Sequence, residues 1–268
     1  MRLPRPEELT SSAERELYGH DSIEFHDTDH RSFLRRGYLR RIELMRSLIG
    51  GLALPGRPLR ILDVGCAQGN LALLLAEAGH HVVAADLKID FLQYVRKKHD
   101  HGRLGLVAVN AERLPFGPIF DVVVLGELLE HAAHPDALLN EARRVARPGG
   151  VILLSTPNGD FFLNRLPRYS QVAGNEGLEA RQYKPDADGH LFLLTSQELR
   201  DLVRQAGLRT ESLHFFNSPF NTGVAKWRHI GRWLPMCISQ VLERLVSRCR
   251  GLNARWCSGM IVLARVPK

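Results

Sequence analysis

Short apolar runs alternate with stretches of helical periodicity between residues 60 and 157, and this alternation constrains the fold more than any other feature of the chain. The runs carry no strict polar alternation, which indicates strands that are buried on both faces. The stretches between them are long enough to form crossover helices. The pattern therefore predicts an α/β fold with a doubly wound, mostly parallel sheet, whose strand candidates include RILDVG, HVVAAD, LGLVAVN, FDVVVLG and GVILLSTP.

Composition is that of a globular protein, because 44% of the 268 residues are apolar and 24% are charged. No apolar run reaches the ~18 residues of a membrane-spanning helix, and the amino-terminal MRLPRPEELTSSAERE lacks the apolar stretch of a secretory signal. The four cysteines are irregularly spaced, which argues against a disulfide framework and against a Cys-x-x-Cys metal site. These features predict a cytoplasmic protein.

The net charge of +7 is unevenly distributed along the chain. Residues 209–268 contain 10 basic and two acidic side chains, whereas the remainder contains 26 basic and 27 acidic ones. The basic character therefore belongs to the carboxyl-terminal segment and says little about the partners of the rest of the chain.

The segment LDVGCAQG at residues 62–69 ends the first strand and opens a helix. A glycine turn at such a place lets the backbone approach a ligand closely. The G-x-x-x-G spacing departs from G-x-G-x-x-G, with Ala67 where a middle glycine is expected. Asp63 would repel a pyrophosphate but can accept a hydrogen bond from an ammonium group, and Asp86 can bind both ribose hydroxyls. The ligand implied has a ribose, a cationic portion and no phosphate beside the turn.

Five motifs in order resemble the class I S-adenosylmethionine-dependent methyltransferases. They are DVGCAQG, the strand-end Asp86, NAERLPF at 110–116, FDVVVLGELLEH at 120–131 and RPGGVILLSTPN at 147–158. The resemblance covers residues 60–157 and continues through 190–215. It implies a Rossmann-like, seven-stranded sheet with an antiparallel last strand and helical lid insertions.

The same resemblance implies S-adenosylmethionine as the cofactor. Asn110 stands where the family often has Asp, and its side-chain carbonyl could accept a hydrogen bond from the adenine amine. The residues expected to bind the cofactor are Asp63, Gly65, Cys66, Ala67, Gly69, Asp86, Leu87, Asn110, Ala111 and Gly126.

The E-x-x-E-H spelling that begins at Glu127 is similar to that of ubiquinone-pathway O-methyltransferases and of small-RNA 2′-O-methyltransferases. In both groups these positions, with a downstream histidine, are associated with a divalent cation such as Mg²⁺. The resemblance thus implies a metal set of Glu127, Glu130, His131 and His190, and catalytic roles for His131, Glu127 and His190. The alternative is metal-independent: Glu127 touches the methionine moiety, Glu130 makes a structural contact, and His131 is a lone general base.

Four segments are expected on this basis: an N-terminal helical lid segment at 1–58, the cofactor-binding core at 59–157, a substrate loop insert at 158–194 and the completion of the sheet at 195–268. A capping box of Thr195 and Glu198 predicts a helix that stops at Gly207. The strand candidates 209–216 and 259–266 are separated by far more than a hairpin loop. The last segment is therefore expected to carry a basic amphipathic insert at about 216–257.

Residues 224–249 predict a cationic amphipathic helix broken at Pro235, and three interpretations are open. A substrate-covering cap is favoured on packing grounds. An interfacial helix would place the protein peripherally at the inner face of a membrane. Nucleic-acid binding ranks last, since few aromatic residues alternate with charges elsewhere. The arginine-rich helix at 31–46 is expected to fold over the cofactor, with core packing or substrate contact for Phe33, Leu34 and Tyr38.

The function predicted from these features is methyl transfer to a small or lipid-like acceptor. An oxygen acceptor is implied by the resemblance, while nitrogen and carbon stay open, as does RNA 2′-O-methylation. A nicotinamide-dependent oxidoreductase is disfavoured by the carboxylate of Asp63 in the turn. A non-catalytic S-adenosylmethionine-binding module would not need Glu127, Glu130 and His131, so their presence favours an enzyme.

Overall fold

A computed structural model of the chain describes residues 1–29, 32–174, 177–182, 189–222, 236–249 and 251–268. Eleven α-helices and two 3₁₀ helices surround one sheet in these ranges. The strands are β1 (Arg60–Val64), β2 (His81–Asp86), β3 (Arg103–Ala108), β4 (Phe120–Gly126), β5 (Ala146–Pro157), β6 (Arg209–Phe216) and β7 (Gly259–Arg265).

The seven strands lie in the order β3-β2-β1-β4-β5-β7-β6. The pairs β1–β2, β1–β4, β2–β3 and β4–β5 are parallel, while β7 is antiparallel to both of its neighbours. The predicted fold class is therefore confirmed, including the antiparallel last strand. The order reverses between β1 and β4, and a ligand crevice is expected outside the carboxyl ends of the strands at such a switch point.

Helices precede the sheet, connect its strands and fill the final insert. They are α1 (Ser12–Glu24), α2 (Phe33–Gly50), α3 (Asn70–Glu77), α4 (Ile89–Lys98), α5 (Pro135–Val145), α6 (Tyr169–Val172), α7 (Gly177–Gln182), α8 (Ser196–Gln205), α9 (Pro219–Thr222), α10 (Met236–Arg248) and α11 (Asn253–Trp256). The 3₁₀ helices are Pro6–Glu8 and Leu129–His131. The capping box predicted for α8 is present, with the Glu198 backbone N–H donating to Thr195 Oγ1 at 3.1 Å.

Successive residues of the central strands point to opposite sides of the sheet, and both sides are apolar. On β1, Ile61 joins one buried cluster while Leu62 joins the other. On β4, Val122 and Val123 divide between the two clusters in the same way. This two-sided burial is the reason why the strands carry continuous apolar runs.

Two segments contain more helix than their sequences indicate. Residues 1–28 show only weak helical periodicity, yet Ser11 and Glu14 form a capping box that begins α1. The predicted loop insert contains the short helices α6 and α7. Tertiary contacts stabilise such short elements, which the hydrophobic period of the sequence cannot reveal.

The long connection between β6 and β7 is confirmed, and α9, α10 and α11 lie in it. Only the second half of the predicted 224–249 helix is described, as α10; residues 223–235, with Trp227, Ile230, Trp233 and Leu234, lie outside the described residues. Among the helices that the structure describes, none is both long and apolar enough to cross a bilayer.

Candidate active site

The glycine turn between β1 and α3 is shaped by three left-handed residues. Gly65 has φ 68°, Ala67 has φ 44° and Gly69 has φ 69°. A Cβ on Gly69 would lie 2.5 Å from the Val95 side chain, and one on Gly65 would lie 2.9 Å from Leu128. Glycine is therefore required at both ends of the turn for conformation and for space. Ala67 adopts the strained conformation expected at its position.

Asp63 is buried at the carboxyl end of β1, directly before this turn. Burial, reinforced by the negative charge of Asp86, raises the pKa of the Asp63 carboxyl to about 7. A hydrogen bond from the Ala72 backbone opposes that increase. Because the charged form of a buried carboxylate is disfavoured without a partner, a cationic ligand group at this position would restore it.

Asp86 ends β2 beside the same turn and is fixed by two backbone donors. Its Oδ2 accepts from the Ala67 N–H at 3.0 Å, and its Oδ1 accepts from the Lys88 N–H at 3.0 Å. Each carboxylate oxygen retains a further lone pair. The side chain is thus held in one orientation while still able to accept hydrogen bonds from a ligand.

The other predicted cofactor residues follow the same strand ends. Cys66 is buried in the turn, and Leu87 is 60% exposed after β2. Asn110 and Ala111 follow β3, where the Asn110 side-chain carbonyl accepts from the Glu112 N–H at 2.9 Å. Gly126 ends β4 and lines the central cleft. The topology therefore gathers all ten predicted positions along one edge of the sheet.

A buried polar network behind the turn was not predicted from the sequence. Lys98 forms an ion pair with Asp21, and both side chains are fully buried. Lys98 Nζ also donates to the Gln68 carbonyl at 2.9 Å, while the Asn70 amide donates to Asp21 Oδ1 at 2.6 Å. Tyr94 donates its hydroxyl hydrogen to Asp21 Oδ2 at 2.9 Å. The network attaches α1 to the glycine turn, and a lysine at the end of a basic helix carries no sequence signal for such a role.

A cleft of about 620 Å³ opens above the turn between the sheet edge and α2. The aromatic and apolar part of its α2 wall consists of Phe33, Leu34 and Tyr38. The helix therefore lies over the cleft at the glycine turn, while its contact with the cofactor or the substrate stays a prediction. His20, Glu24 and Arg41, which sequence reasoning did not single out, line the same cleft.

Glu127 follows β4 at the cleft and has φ 51°, a strained conformation for a residue with a side chain. Its backbone N–H donates to the Ser155 carbonyl at 2.9 Å, which fixes it against β5. Its Oε2 lies 3.4 Å from Arg41 Nη1, while its Oε1 is buried without a hydrogen-bond partner in the described part of the chain. Strain held at such a position is typical of functional sites.

Glu130, His131 and His190 come together one turn further on. Each offers a ligand atom, and these atoms all lie within 4.8 Å of one another. The Leu191 N–H donates to the Glu130 carbonyl at 2.8 Å, which holds the 190–192 segment against the 3₁₀ helix. Glu127 is not a member of this group, because its carboxylate turns to Arg41. The structure therefore assembles three of the four residues predicted as metal ligands.

The electrostatics of this group suit a cation. Glu130 is fully buried, and burial together with the charge of Glu127 raises the pKa of its carboxyl well above the ordinary value. Its Oε2 accepts from the Thr156 hydroxyl at 3.0 Å, but its Oε1 is buried without a hydrogen-bond partner among the described residues. Burial lowers the pKa of His190, which keeps that imidazole neutral and able to ligate. An orphaned carboxylate oxygen beside two imidazoles fits a divalent metal ion.

Comparison with known proteins gives a consistent result. A family model described as a methyltransferase domain matches residues 25–213. A ubiquinone biosynthesis O-methyltransferase of Cereibacter sphaeroides is 37% identical over 160 residues, which are 58% of this chain and 62% of the relative. The corresponding protein of Roseobacter denitrificans is 34% identical over 66% of this chain and 70% of its own length. The chain thus spans less than two thirds of the first of these relatives.

Solved structures share the fold at lower identity. Magnesium protoporphyrin IX methyltransferase from Synechocystis PCC 6803, with bound SAH, has a TM-score of 0.57 at 14% identity. The match covers 95% of this chain and 94% of that chain. At this identity the likeness extends to the architecture alone.

Proposed function

The chain belongs to the methyltransferase domain family, and we propose that it methylates a hydroxyl oxygen of a small or lipid-like acceptor with S-adenosylmethionine as the methyl donor. The grouping of Glu130, His131 and His190, which follows the cleft residue Glu127, carries this proposal. A hydroxyl group must lose its proton, or be coordinated by a cation, before its oxygen attacks a methyl group. These side chains can accept that proton or hold that cation. A non-catalytic binding module would gain nothing from the grouping.

The glycine turn and the two strand-end carboxylates fit the donor. Asp63 would accept from its ammonium group and Asp86 from its ribose hydroxyls. Gly65 and Gly69 keep the backbone free of side chains where the ligand approaches. The Ala67 and Lys88 backbone N–H groups hold Asp86 in its orientation before the ligand binds. The side chain therefore loses little further conformational entropy on binding.

A divalent cation fits the three-residue group, with Glu130, His131 and His190 as its ligands. S-adenosylmethionine supplies an activated methyl group when bound, and a divalent cation supplies an acidified hydroxyl when one is coordinated. Thr156 holds the Glu130 carboxylate in position through its hydroxyl. Burial of His190 favours its neutral form, which can accept a proton or ligate a metal at neutral pH.

Glu127 and Arg41 are assigned a positioning role. Their ion pair at 3.4 Å joins the end of β4 to α2 across the cleft. Arg41 also lies over the Tyr38 ring, with its guanidinium carbon 5.1 Å from the ring centroid. The pair sets the distance between the lid helix and the sheet edge, and through it the room available to the acceptor.

The acceptor class follows from the relatives and from the cleft wall. The relatives are named for ubiquinone biosynthesis, and the cleft presents Phe33, Leu34 and Tyr38 to an apolar compound. A hydroxylated aromatic ring with a prenyl chain suits both.

Peripheral membrane contact through 224–249 would give access to such a compound. On α10 the exposed apolar residues Ile238, Val241 and Leu245 support that contact.

The test is a labelled-methyl assay with a short-chain prenylated catechol, run with Mg²⁺ and with chelator. We expect label on a catechol oxygen, loss of turnover with chelator and its return with Mg²⁺. Turnover that is unaffected by chelator would refute the metal set while leaving methyl transfer in place. Absence of transfer to any hydroxyl acceptor, with S-adenosylmethionine bound, would refute O-methylation. Sedimentation with vesicles containing phosphatidylglycerol tests the membrane contact, which should weaken at high salt.

A further inference from the structure

A second cavity of about 500 Å³ lies on the other side of α2 from the cleft, between that helix and α10. Five arginines line it: Arg35, Arg36, Arg40, Arg46 and Arg244. Two glutamates, Glu43 and Glu243, also line it, so the formal excess is three positive charges. We refer to this space as the arginine cavity. From its charge, its apolar floor and its unpartnered polar atoms, we infer that it binds an organic phosphate with an apolar substituent.

The glutamates of the arginine cavity are already engaged. Glu243 is buried and accepts the backbone N–H groups of Asn217 at 2.7 Å and Ser218 at 2.8 Å. Glu43 lies 3.3 Å from Arg40, but its side chain is 74% exposed, so this pair is a weak one.

Within the described ranges, Arg35, Arg46 and Arg244 form no ion pair with any carboxylate. Three guanidinium groups thus remain available to an anion.

Three residues that line the same space carry a buried polar atom without a partner in the described part of the chain. Ser239 is only 3% exposed, and its hydroxyl has no hydrogen-bond partner in the described part of the chain. The Nε atoms of Arg35 and Arg40 are likewise buried without a described partner. A buried polar atom without a partner is costly, and a bound ligand would remove that cost. A hydroxyl among arginines matches a ligand with several acceptor oxygens.

A phosphate group satisfies these donors better than a monovalent anion does. It has three acceptor oxygens and carries close to two negative charges at neutral pH, and the guanidinium fork can bind two of its oxygens at once. Phe25, Leu39, Ile42 and Leu74 form the apolar part of the lining. A ligand with an alkyl or prenyl substituent would bury that surface, whereas inorganic phosphate would leave it wet.

The arginine cavity is separate from the donor cleft. The Asn217 amide donates to the Gly37 carbonyl at 3.2 Å, and the Asn221 amide donates to Asn217 Oδ1 at 2.8 Å. These bonds lie between α2 and α9, and the arginine cavity and the cleft share no lining residue. The inference therefore does not depend on the proposed methyl transfer, and a binding measurement tests it without turnover.

The test is calorimetric titration of the whole 268-residue chain with octyl phosphate, kept below micelle formation, and with inorganic phosphate. We expect octyl phosphate to bind at least about tenfold more tightly, because its alkyl chain buries apolar surface that inorganic phosphate leaves in contact with water. The variant R35Q/R46Q should lose about tenfold or more of the octyl phosphate affinity, since charged hydrogen bonds are removed. Arg248→Gln lies on the same helix as Arg244 but outside the cavity, and it should bind as the parent does.

The outcomes separate clearly. Equal affinity for octyl phosphate and inorganic phosphate would overturn the apolar part of the inference, and undiminished binding by R35Q/R46Q would overturn the site. S-adenosylmethionine affinity of each variant, measured in parallel, reports whether the fold is intact. The source of the ligand follows from vesicles of phosphatidylcholine with phosphatidic acid, whose head group is a phosphate monoester as in octyl phosphate. Loss of their binding in R35Q/R46Q identifies a lipid head group, and retention identifies a soluble organic phosphate.

Discussion

The rings of His131 and His190 meet edge to face, with centroids 4.9 Å apart and an interplanar angle of 66°. His131 ends the 3₁₀ helix that follows β4, whereas His190 lies within the predicted loop insert, ahead of α8. The hydrogen bond from the Leu191 N–H to the Glu130 carbonyl holds the two segments together. The position of His190 is therefore a property of the tertiary fold.

Replacement of His131 by alanine should lower kcat/KM by about 10²–10⁴-fold, the range for loss of a proton-transfer group. The affinity for S-adenosylmethionine should not change, because His131 is not among the ten residues predicted to bind the donor. Steady-state kinetics together with calorimetry checks both quantities. His134→Ala is the matched control, since that imidazole is exposed and pairs with Glu179. Normal turnover by the His131 variant would contradict the assignment.

Replacement of Glu130 by glutamine should weaken binding of a divalent cation by about tenfold or more, because an anionic ligand becomes a neutral one. Glutamine keeps the shape and can still accept from the Thr156 hydroxyl. Titration with Mn²⁺ followed by electron paramagnetic resonance gives the affinity without reference to activity. Glu179→Gln, an exposed change outside the three-residue group, should leave the affinity as it is. The metal assignment fails if both variants bind Mn²⁺ as the parent does.

Binding of S-adenosylmethionine should depend on pH through Asp63, whose pKa is raised to about 7 by burial and by Asp86. Below that pH the carboxyl is protonated and cannot attract an ammonium group, so Kd should rise by about tenfold per pH unit as the pH falls. The free protein should show the opposite trend in stability. Its folded form binds the proton more tightly than the unfolded form, so this contribution is lost as the pH rises through about 7.

Calorimetric titrations at steps of about one pH unit, roughly between pH 5.5 and 8, would show how the Kd for S-adenosylmethionine depends on pH. Asp63→Asn should bind weakly at every pH and remove the dependence. Asp100→Asn, an exposed carboxylate far along the chain from the turn, should retain it. A pH profile that is the same in the parent and in Asp63→Asn would exclude the role given to Asp63.

Replacement of Gly69 by alanine should destabilise the protein by about 2–4 kcal/mol, from a left-handed backbone and an overpacked contact with Val95. Gly79→Ala is the control for the backbone part, since Gly79 has φ 93° with nothing near its added Cβ. Urea unfolding should show a larger loss for Gly69 than for Gly79. Equal losses would mean that the contact with Val95 relaxes without cost.

Replacement of Lys98 by methionine should destabilise the protein by about 3–5 kcal/mol, because it leaves Asp21 charged, buried and uncompensated. The double variant D21N/K98M removes both charges and should recover part of the loss. Denaturant unfolding of the two variants and of the exposed control Arg96→Met gives the comparison. A double variant less stable than K98M would show that the ion pair is not the source of the effect.

The sequence alone predicts the sheet, because strands buried on both faces must be apolar throughout and their runs are visible without a structure. It also determined the glycine turn with Asp63 and Asp86, since the ligand edge of a parallel sheet lies at the carboxyl ends of its strands. Asp63 and Asp86 lie at the carboxyl ends of β1 and β2, and the apolar runs of both strands are visible in the sequence.

Which side chains meet across those elements is visible in the tertiary structure and not in the sequence. The structure shows these contacts between distant segments. It brought His190 to His131 and Glu130, turned Glu127 to Arg41 and placed Lys98 against Asp21. It also set α2 and α10 around the arginine cavity. Contacts between distant segments depend on how helices pack on the sheet, and a periodic pattern records that a residue faces inward but not which residue it faces.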